Sequence, residues 1–456
     1  MTQRSKLLRA TALLSLVFLA AFVLGSVLRV DQLSAVRAVA ARLKGADGPH
    51  FPAGDTLAIA DLLHARCGTG AEPVKRKCLM AQLLAVRAQR GTRFAMGALN
   101  RLTTLDREVE YGGHDYAHML GITAFKAAGG DVGSAFRSCT EILQSGCYHG
   151  VIQTYFMSVP HVGAAEVSTV CREYTAPDAD RWLRFQCVHG TGHGLTMFYE
   201  HDLPRALEGC DLFADEWDRK SCYGGAFMEN IIFATDPRMA HMVMGDENEG
   251  EEPHAAGGAM GAMPGMEQAG AKPKAKFKMV DSTDLTFPCS VLGERYLDDC
   301  WSMQPAVMLQ LNGGDFAATF QGCDKAPEVW RASCYAGAGT EISGATLRDH
   351  RKSIGLCSLG KAPYQPACYF GVVKNFIDVT AKSGDGLAFC KVVPGRANQL
   401  ECYRAVGEEI AVLRNTPATR RPLCDPAVGD EGGHAACLFG AQVITERPAG
   451  LPSIAP

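Results

Sequence analysis

The distribution of apolar residues divides the chain into an amino-terminal apolar segment and a long series of shorter helical ones. Residues 12–28 carry no charge and follow a basic flank of Arg4, Lys6 and Arg9. Such a run is just long enough to cross a bilayer, so it predicts a signal anchor or an uncleaved transmembrane helix over residues 1–30. The basic flank then stays in the cytoplasm, and the rest of the chain lies in the periplasm or the extracellular space.

Beyond this segment the sequence repeats itself. All eighteen cysteines fall into nine close pairs, namely Cys67/Cys78, Cys139/Cys147, Cys171/Cys187, Cys210/Cys222, Cys289/Cys300, Cys323/Cys334, Cys357/Cys368, Cys390/Cys402 and Cys424/Cys437. From Cys300 to Cys437 the second members follow one another at intervals of 34 or 35 residues. A fixed period near this value indicates stacked supersecondary units, commonly helix pairs.

One unit illustrates the predicted layout. Residues 384–393 form a first predicted helix that carries Cys390, and residues 401–413 form a second that carries Cys402. Each cysteine pair is therefore predicted to cross-link the two helices of its unit. Glycine is a poor helix former, so its recurrence in the second helices predicts close approach of a neighbouring helix. These glycines are Gly150, Gly190, Gly225, Gly337, Gly371 and Gly440.

A further unit, with helices predicted over residues 93–105 and 114–127, has no cysteine. The sequence thus predicts an all-α protein, an αα-repeat solenoid of about ten helix pairs over residues 55–445, nine of them stapled by local disulfides. Stacking of this kind curves into a superhelix with a concave face. The plan resembles the disulfide-rich αα-repeat proteins of the Sel1-like type, which also cross-link the helices of a repeat. No function is carried over from that resemblance.

Composition narrows the possible compartments and partners. The 45 Lys and Arg residues against 49 Asp and Glu residues leave a net charge of -4, so the chain has no basic field for nucleic acid. Eighteen pairable cysteines favour an oxidising compartment. The chain contains no CxxC, the short spacing on which zinc ribbons and fingers depend. Residues 31–54 are predicted to be a linker and residues 446–456 a tail.

The spacing between Cys222 and Cys300 exceeds the repeat period, and the excess lies at residues 239–284. This segment has no apolar periodicity and is predicted to be a disordered insertion. It is rich in Met and His, and the stretch His241-Met242-Val243-Met244 resembles the Met-rich segments of periplasmic copper-handling proteins. Thioethers with imidazoles suit copper, although an incidental low-complexity composition explains the methionines equally well.

Histidines are concentrated in three consecutive second helices. Five of the thirteen lie there at matching places: His114, His118, His149, His189 and His193. Two histidines at i and i+4 share one helix face, about 6 Å apart, and can bind one metal ion. These five are the predicted metal ligands, with copper favoured over zinc or iron. Helix spacing favours two sites, or one site at a sharp curve, with His149 able to bridge.

Carboxylates near the same helices are candidate ligands, partners of the ligands or bases: Asp115, Glu200 and Glu229. Isolated histidines are interpreted as ordinary packing residues: His161, His201, His350 and His434. GxSxG, Walker and HExxH motifs are absent, so any catalysis is expected to depend on a metal. Three hypotheses remain: a transition-metal protein for metal handling or metal-dependent chemistry, a scaffold whose concave face binds a protein or peptide without metal, and a metallohydrolase.

Overall fold

The computed structural model describes residues 51, 55–176, 179–235, 277–380 and 382–451. Within these ranges 73% of the residues are helical and none lies in a β-strand. The predicted all-α class is therefore confirmed. The same part of the chain contains no helix long and apolar enough to cross a membrane.

Several predicted segments fall outside the described residues. They are the anchor 1–30, nearly all of the linker 31–54, the insertion 239–284 up to residue 276, and the tail from residue 452. Residues 277–284 lie in bends and a turn outside any helix, and the carbonyl group of Met279 accepts a hydrogen bond from the side chain of Asn230 at 3.0 Å. The residues from Thr56 onward form one compact unit.

In the described part of the chain we number the α-helices in order. They are α1 (Thr56–Cys67), α2 (Glu72–Arg90), α3 (Thr92–Leu105), α4 (Arg107–Ala127), α5 (Val132–Ser138), α6 (Gly146–Ser158), α7 (Ala164–Val170), α8 (Arg181–Phe198), α9 (Leu203–Cys210), α10 (Glu216–Thr235), α11 (Leu297–Leu311), α12 (Phe316–Cys323), α13 (Glu328–Ala345), α14 (His350–Cys357), α15 (Gln365–Thr380), α16 (Ser383–Cys390), α17 (Arg396–Leu413), α18 (Pro417–Cys424) and α19 (Glu431–Gly440). Short 3-10 turns also occur, at Arg172–Tyr174, Glu294–Tyr296, Ala362–Tyr364 and Asp425–Ala427.

The helices pack in a repeating arrangement. From α4 onward the longer helices contact one another in chain order, as α4, α6, α8, α10, α11, α13, α15, α17 and α19. Most of the short helices between them, α5, α9, α12, α14, α16 and α18, contact both flanking long helices. Each short helix with the long helix that follows it corresponds to one predicted unit.

The nine predicted disulfides are confirmed. Every cysteine bonds to the partner expected from the sequence, with Cα–Cα distances of 5.4 to 5.8 Å. Most bridges join the end of a shorter helix to the first two turns of the next, so each closes a short loop. A disulfide that closes a loop of this size stabilises the folded protein by about 3 kcal/mol. Nine such bonds indicate an oxidising, extracytoplasmic environment.

One unit departs from the helix-pair layout. Cys289 lies in a series of turns and not at the end of a helix. The side chain of Asp281 accepts a hydrogen bond from the backbone of Thr283 at 2.9 Å, and that of Asp284 accepts one from the backbone of Thr286 at 2.8 Å. Local bonds of this type compete with helix formation, and they hold the backbone in turns here.

Two helices begin earlier than predicted. Helix α4 starts at Arg107, not at 114, because the Asp106 side chain caps it and accepts hydrogen bonds from the second and third backbone N–H groups. Helix α17 starts at Arg396, not at 401, within the stretch between the two predicted helices. The preceding residue, Gly395, ends the turn before this helix. Its φ of 85° is a value that glycine adopts readily.

Glycines let the long helices touch backbone to backbone, as predicted. A Cβ atom added at Gly150 of α6 would lie well under 3.0 Å from the carbonyl oxygen of His118 on α4, and one at Gly121 of α4 would meet that of Cys147 on α6. The same reciprocal contact recurs in three other helix pairs, at Gly192/Gly225 (α8/α10), Gly339/Gly371 (α13/α15) and Gly407/Gly440 (α17/α19). Any larger residue would force these helices apart.

The row of helices curves until distant units meet. Helix α17 contacts α8, and the side chain of Asn415 accepts a hydrogen bond from the backbone of Arg181 at 2.8 Å. Arg348, after α13, forms an ion pair with Glu110 of α4 at 2.8 Å. The carboxyl-terminal units therefore close against the units that carry the histidines.

We expect Gly339→Ala to lower the midpoint of thermal unfolding, because the new Cβ has no room beside the carbonyl oxygen of Cys368. Overpacking of this kind costs about 1–3 kcal/mol. Gly344→Ala in the same helix is the matched control, since its Cβ would enter open space and helix propensity would stabilise the protein by up to about 1 kcal/mol. Equal midpoints for the two variants would contradict the close contact of α13 with α15.

Candidate metal centre

The five predicted histidines lie in one cluster. Helices α4, α6 and α8 pack in that order, so His149 on α6 lies between the pairs on α4 and α8. Its ring centre is 5.5 and 6.4 Å from those of His114 and His118, and 5.0 and 4.8 Å from those of His189 and His193. The two rings within each pair are 5.8 and 5.1 Å apart.

Small residues bring these helices close enough for the rings to meet. The carbonyl oxygen of His118 faces Gly150, and that of His189 faces Gly225, in the reciprocal glycine contacts described above. Between α6 and α8, a Cβ at Gly190 would lie 3.1 Å from the side chain of Ile152. Close contacts at glycines, with backbone atoms or with a side chain, thus set the spacing of the imidazoles.

Three of the histidines could hold a metal ion. His149, His189 and His193 are buried, with 3%, 8% and 1% of their surface exposed, and one ring nitrogen from each lies within 4.8 Å of the others. The Nε2 atoms of His189 and His193 are 3.3 Å apart. Two nitrogens bound to one tetrahedral ion at about 2.0–2.1 Å are about 3.3 Å apart. His149 would move slightly inward to complete the site.

Hydrogen bonds orient two of these rings. The Nδ1 atom of His189 lies 3.2 Å from the carbonyl oxygen of Ser221, which can only accept, so Nδ1 carries the proton and Nε2 keeps its lone pair. The Nδ1 atom of His193 lies 2.8 Å from Oε2 of Glu229. A carbonyl or carboxylate on the outer nitrogen is the usual way in which proteins orient a metal-bound histidine.

The ring of His149, unlike those of His189 and His193, is not oriented by a hydrogen bond. Both of its ring nitrogens are buried and neither has a hydrogen-bond partner. A buried polar atom that is left unpaired costs about 1–3 kcal/mol, so such groups are rare unless a bound ion or another ligand satisfies them. This ring therefore points to a ligand within the cluster.

Burial keeps the histidines neutral. The pKa of His149 lies well below 6.5, first because of burial and then because of its proximity to His193 and His189. Burial is also the first cause that lowers the pKa of His118 and of His189, and it lowers that of His193 to about 3. A neutral imidazole is the form that binds a metal ion.

Glu229 is the one predicted carboxylate that contacts the cluster. Burial raises its pKa to about 7, partly offset by His201 and His114. Burial thus favours the neutral forms of both Glu229 and His193 in the metal-free protein. Asp115 instead pairs with Arg76 at 3.1 Å, and Glu200 lies in the turn after α8 with a φ of 54°.

Sequence reasoning missed Lys374. It lies on α15 between Asp378 and Glu409, at 3.1 and 3.5 Å, and its positive charge further lowers the pKa of His189. Burial lowers the pKa of Lys374, but the two carboxylates outweigh that effect and keep it protonated. No sequence signal connects it with His189, since only the curvature of the repeat brings the two helices together.

A second group was missed although the sequence carried a signal for it. Gln153 lies one helical turn after His149, and Met197 lies one turn after His193. The amide nitrogen of Gln153 contacts the sulfur of Met197, while the amide oxygen of Gln153 is buried without a partner. The i+4 spacing that joins the histidine pairs continues to these two residues.

No family model, curated protein or solved structure matches the chain. The donor set therefore carries the chemical assignment. Neutral imidazoles bind zinc, copper, iron and nickel. Three protein ligands leave a fourth position for water or substrate, as in catalytic zinc sites.

We expect Glu229→Gln to weaken metal binding roughly 10- to 100-fold, because a neutral amide supports the His193 ligand less well than a carboxylate does. Competitive titration against a chromophoric chelator measures the change. Glu341→Gln is the matched control, since it also removes a carboxylate that burial desolvates, on helix α13, which carries no histidine. Equal affinities for the two variants would show that Glu229 does not support the site.

The Glu341 carboxyl should also make the stability of the folded protein depend on pH. Burial raises the pKa of Glu341 from 4.5 to about 7. Between these values the folded carboxyl retains a proton that the unfolded chain has lost, so its contribution to stability falls as pH rises. We expect the melting temperature of Glu341→Gln, relative to the unaltered protein, to increase from pH 4.5 to pH 7. Glu328→Gln, an exposed site on the same helix, should show no such trend.

Proposed function

We propose that this protein binds a transition metal through its histidine cluster, for metal handling or metal-dependent chemistry. The observation that carries the proposal is the buried imidazole of His149, with neither nitrogen bonded, beside two Nε2 atoms only 3.3 Å apart. Neutral rings with outward Nδ1 partners are preorganised to bind a cation. The inner ligands are His149, His189 and His193, and His114 and His118 belong to the same cluster.

Copper is the proposed metal, ahead of zinc and iron. The donor set is nitrogen-rich and free of carboxylate ligands, and a thioether, Met197, lies one turn beyond His193. Imidazole and thioether together suit copper. The Met- and His-containing segment 239–284 supports the same choice, as a place where copper is taken up before it enters the cluster.

The setting we propose is a membrane-anchored α-solenoid of about ten helix pairs outside the cytoplasm. The nine disulfides support the compartment, and the apolar run of residues 12–28 supports an anchor. Repeating contacts between consecutive long helices support the solenoid. Its concave face is the proposed surface for any protein or peptide partner.

A second candidate function is metal-dependent hydrolysis. Three histidines around one ion, with a carboxylate nearby, also describe a hydrolytic zinc site whose fourth ligand is water. The proximity of Glu229, with a pKa of about 7, favours this candidate over a purely structural zinc site. A scaffold without metal, the remaining hypothesis from the sequence, leaves both nitrogens of His149 unexplained.

Elemental analysis tests the proposal. The full chain is purified from an oxidising compartment without a polyhistidine tag, beside a variant in which His189 and His193 are both changed to Ala. We expect copper at whole-number stoichiometry in the unaltered protein and at least a twofold loss of bound copper in the variant. The Cu(II) form should show nitrogen hyperfine splitting in its electron paramagnetic resonance spectrum.

His161→Ala is the control, because this histidine is 76% exposed and lies outside the cluster. Its metal content should equal that of the unaltered chain. Stoichiometric zinc would favour the hydrolase. A chain that purifies empty and takes up neither copper nor zinc when these are added would overturn the proposal and favour the scaffold.

A further inference from the structure

His149 has more binding capacity than one ion can use. An ion held with His189 and His193 satisfies one of its two ring nitrogens and leaves the other buried and unpaired. Yet both nitrogens lack a partner, and the ring is only 3% exposed. Neither solvent nor a protein group offers a second partner, so the remaining nitrogen needs a second ligand.

A second pair of imidazoles also lies beside His149. His114 and His118 occupy i and i+4 on α4, across α6 from the first pair, with ring centres 5.5 and 6.4 Å from that of His149. The Nδ1 atom of His114 lies 3.1 Å from the carbonyl oxygen of Leu143, so this nitrogen donates and Nε2 keeps its lone pair. His189 is oriented in the same way by the carbonyl oxygen of Ser221.

We propose that the cluster holds two transition-metal ions with His149 as their shared ligand. The first is bound by His189, His193 and one nitrogen of His149, and the second by His114, His118 and the other nitrogen. This inference rests on the proposed function for the first position. Binding of both ions requires His149 to release its single N–H proton to solvent, so that it bridges them as an imidazolate.

The two proposed ion positions differ in how closely their imidazole rings approach one another. Ring centres in the first group are 4.8 to 5.1 Å apart, whereas those in the second group are 5.5 to 6.4 Å apart. The α4 rings must therefore move farther to bind an ion, and that movement reduces affinity. The second ion binds after the first and more weakly. Each ion has three nitrogen ligands and an open position for water or substrate.

Titration of the metal-free full chain with Cu(II) tests this inference. We expect two equivalents to bind, the second more weakly. Addition of the second should lower the spin concentration per bound copper in electron paramagnetic resonance, because ions joined by an imidazolate are magnetically coupled. His118→Ala should bind one equivalent, a twofold drop, with the full signal of an isolated ion. His114→Ala should behave alike, and it serves as the second variant because His114 is only half-buried and tolerates truncation.

His161→Ala is the control and should bind two equivalents. One equivalent in the unaltered chain, unchanged in His118→Ala and His114→Ala, would overturn the second position while leaving the first intact. Two equivalents in all of these proteins would place the second ion elsewhere in the chain and would also overturn it. No binding even in the unaltered chain would refute the proposed function itself, together with this inference.

Discussion

Direct contact between the backbones of successive long helices is the constraint on which this structure depends. Glycines on one helix face carbonyl oxygens on the next, and the contact is reciprocal in four helix pairs, including those that carry His118 and His189. Helices that touch without intervening side chains have little freedom to slide or rotate, because a shift would drive a carbonyl group into a Cα atom. The disulfides add a covalent link within most units, so in those units the two helices are also bonded to each other.

The same contact explains how five imidazoles come to share a small volume. Side chains on adjacent helices normally keep the helix axes about 8–10 Å apart. Glycine removes part of that separation, and rings on α4, α6 and α8 then reach one another with centres 4.8 to 6.4 Å apart. Such a cluster is costly in a metal-free protein, since buried polar atoms lose water. His189 and His193 recover hydrogen bonds through Ser221 and Glu229, but His149 does not. A site in which the nitrogens of a buried, neutral imidazole lack hydrogen-bond partners is preorganised to bind a cation.

Because the repeat curves, charged residues from later units also influence the histidines. Contacts between α8 and α17 bring Lys374 and its carboxylate partners towards the histidines from units encoded far downstream. A positive charge at that place lowers the pKa of His189 and helps to keep its ring neutral. The carboxylates Asp378 and Glu409 in turn hold Lys374 protonated. The cluster therefore depends on units that contribute no ligand to it.

The sequence by itself determined the helical class, the nine disulfide pairs, the close-approach glycines and the five clustered histidines, because each is a local pattern that repeats with a fixed period. It misplaced the starts of α4 and α17, since a single capping side chain or a glycine turn decides where a helix begins. It also could not distinguish Glu229 from Asp115 as the carboxylate at the site. Only the tertiary structure decided that His149 lies between two histidine pairs with both nitrogens unbonded, and that Lys374 approaches them. Those facts depend on helix spacing and on the curvature of the whole array, which no short-range pattern encodes.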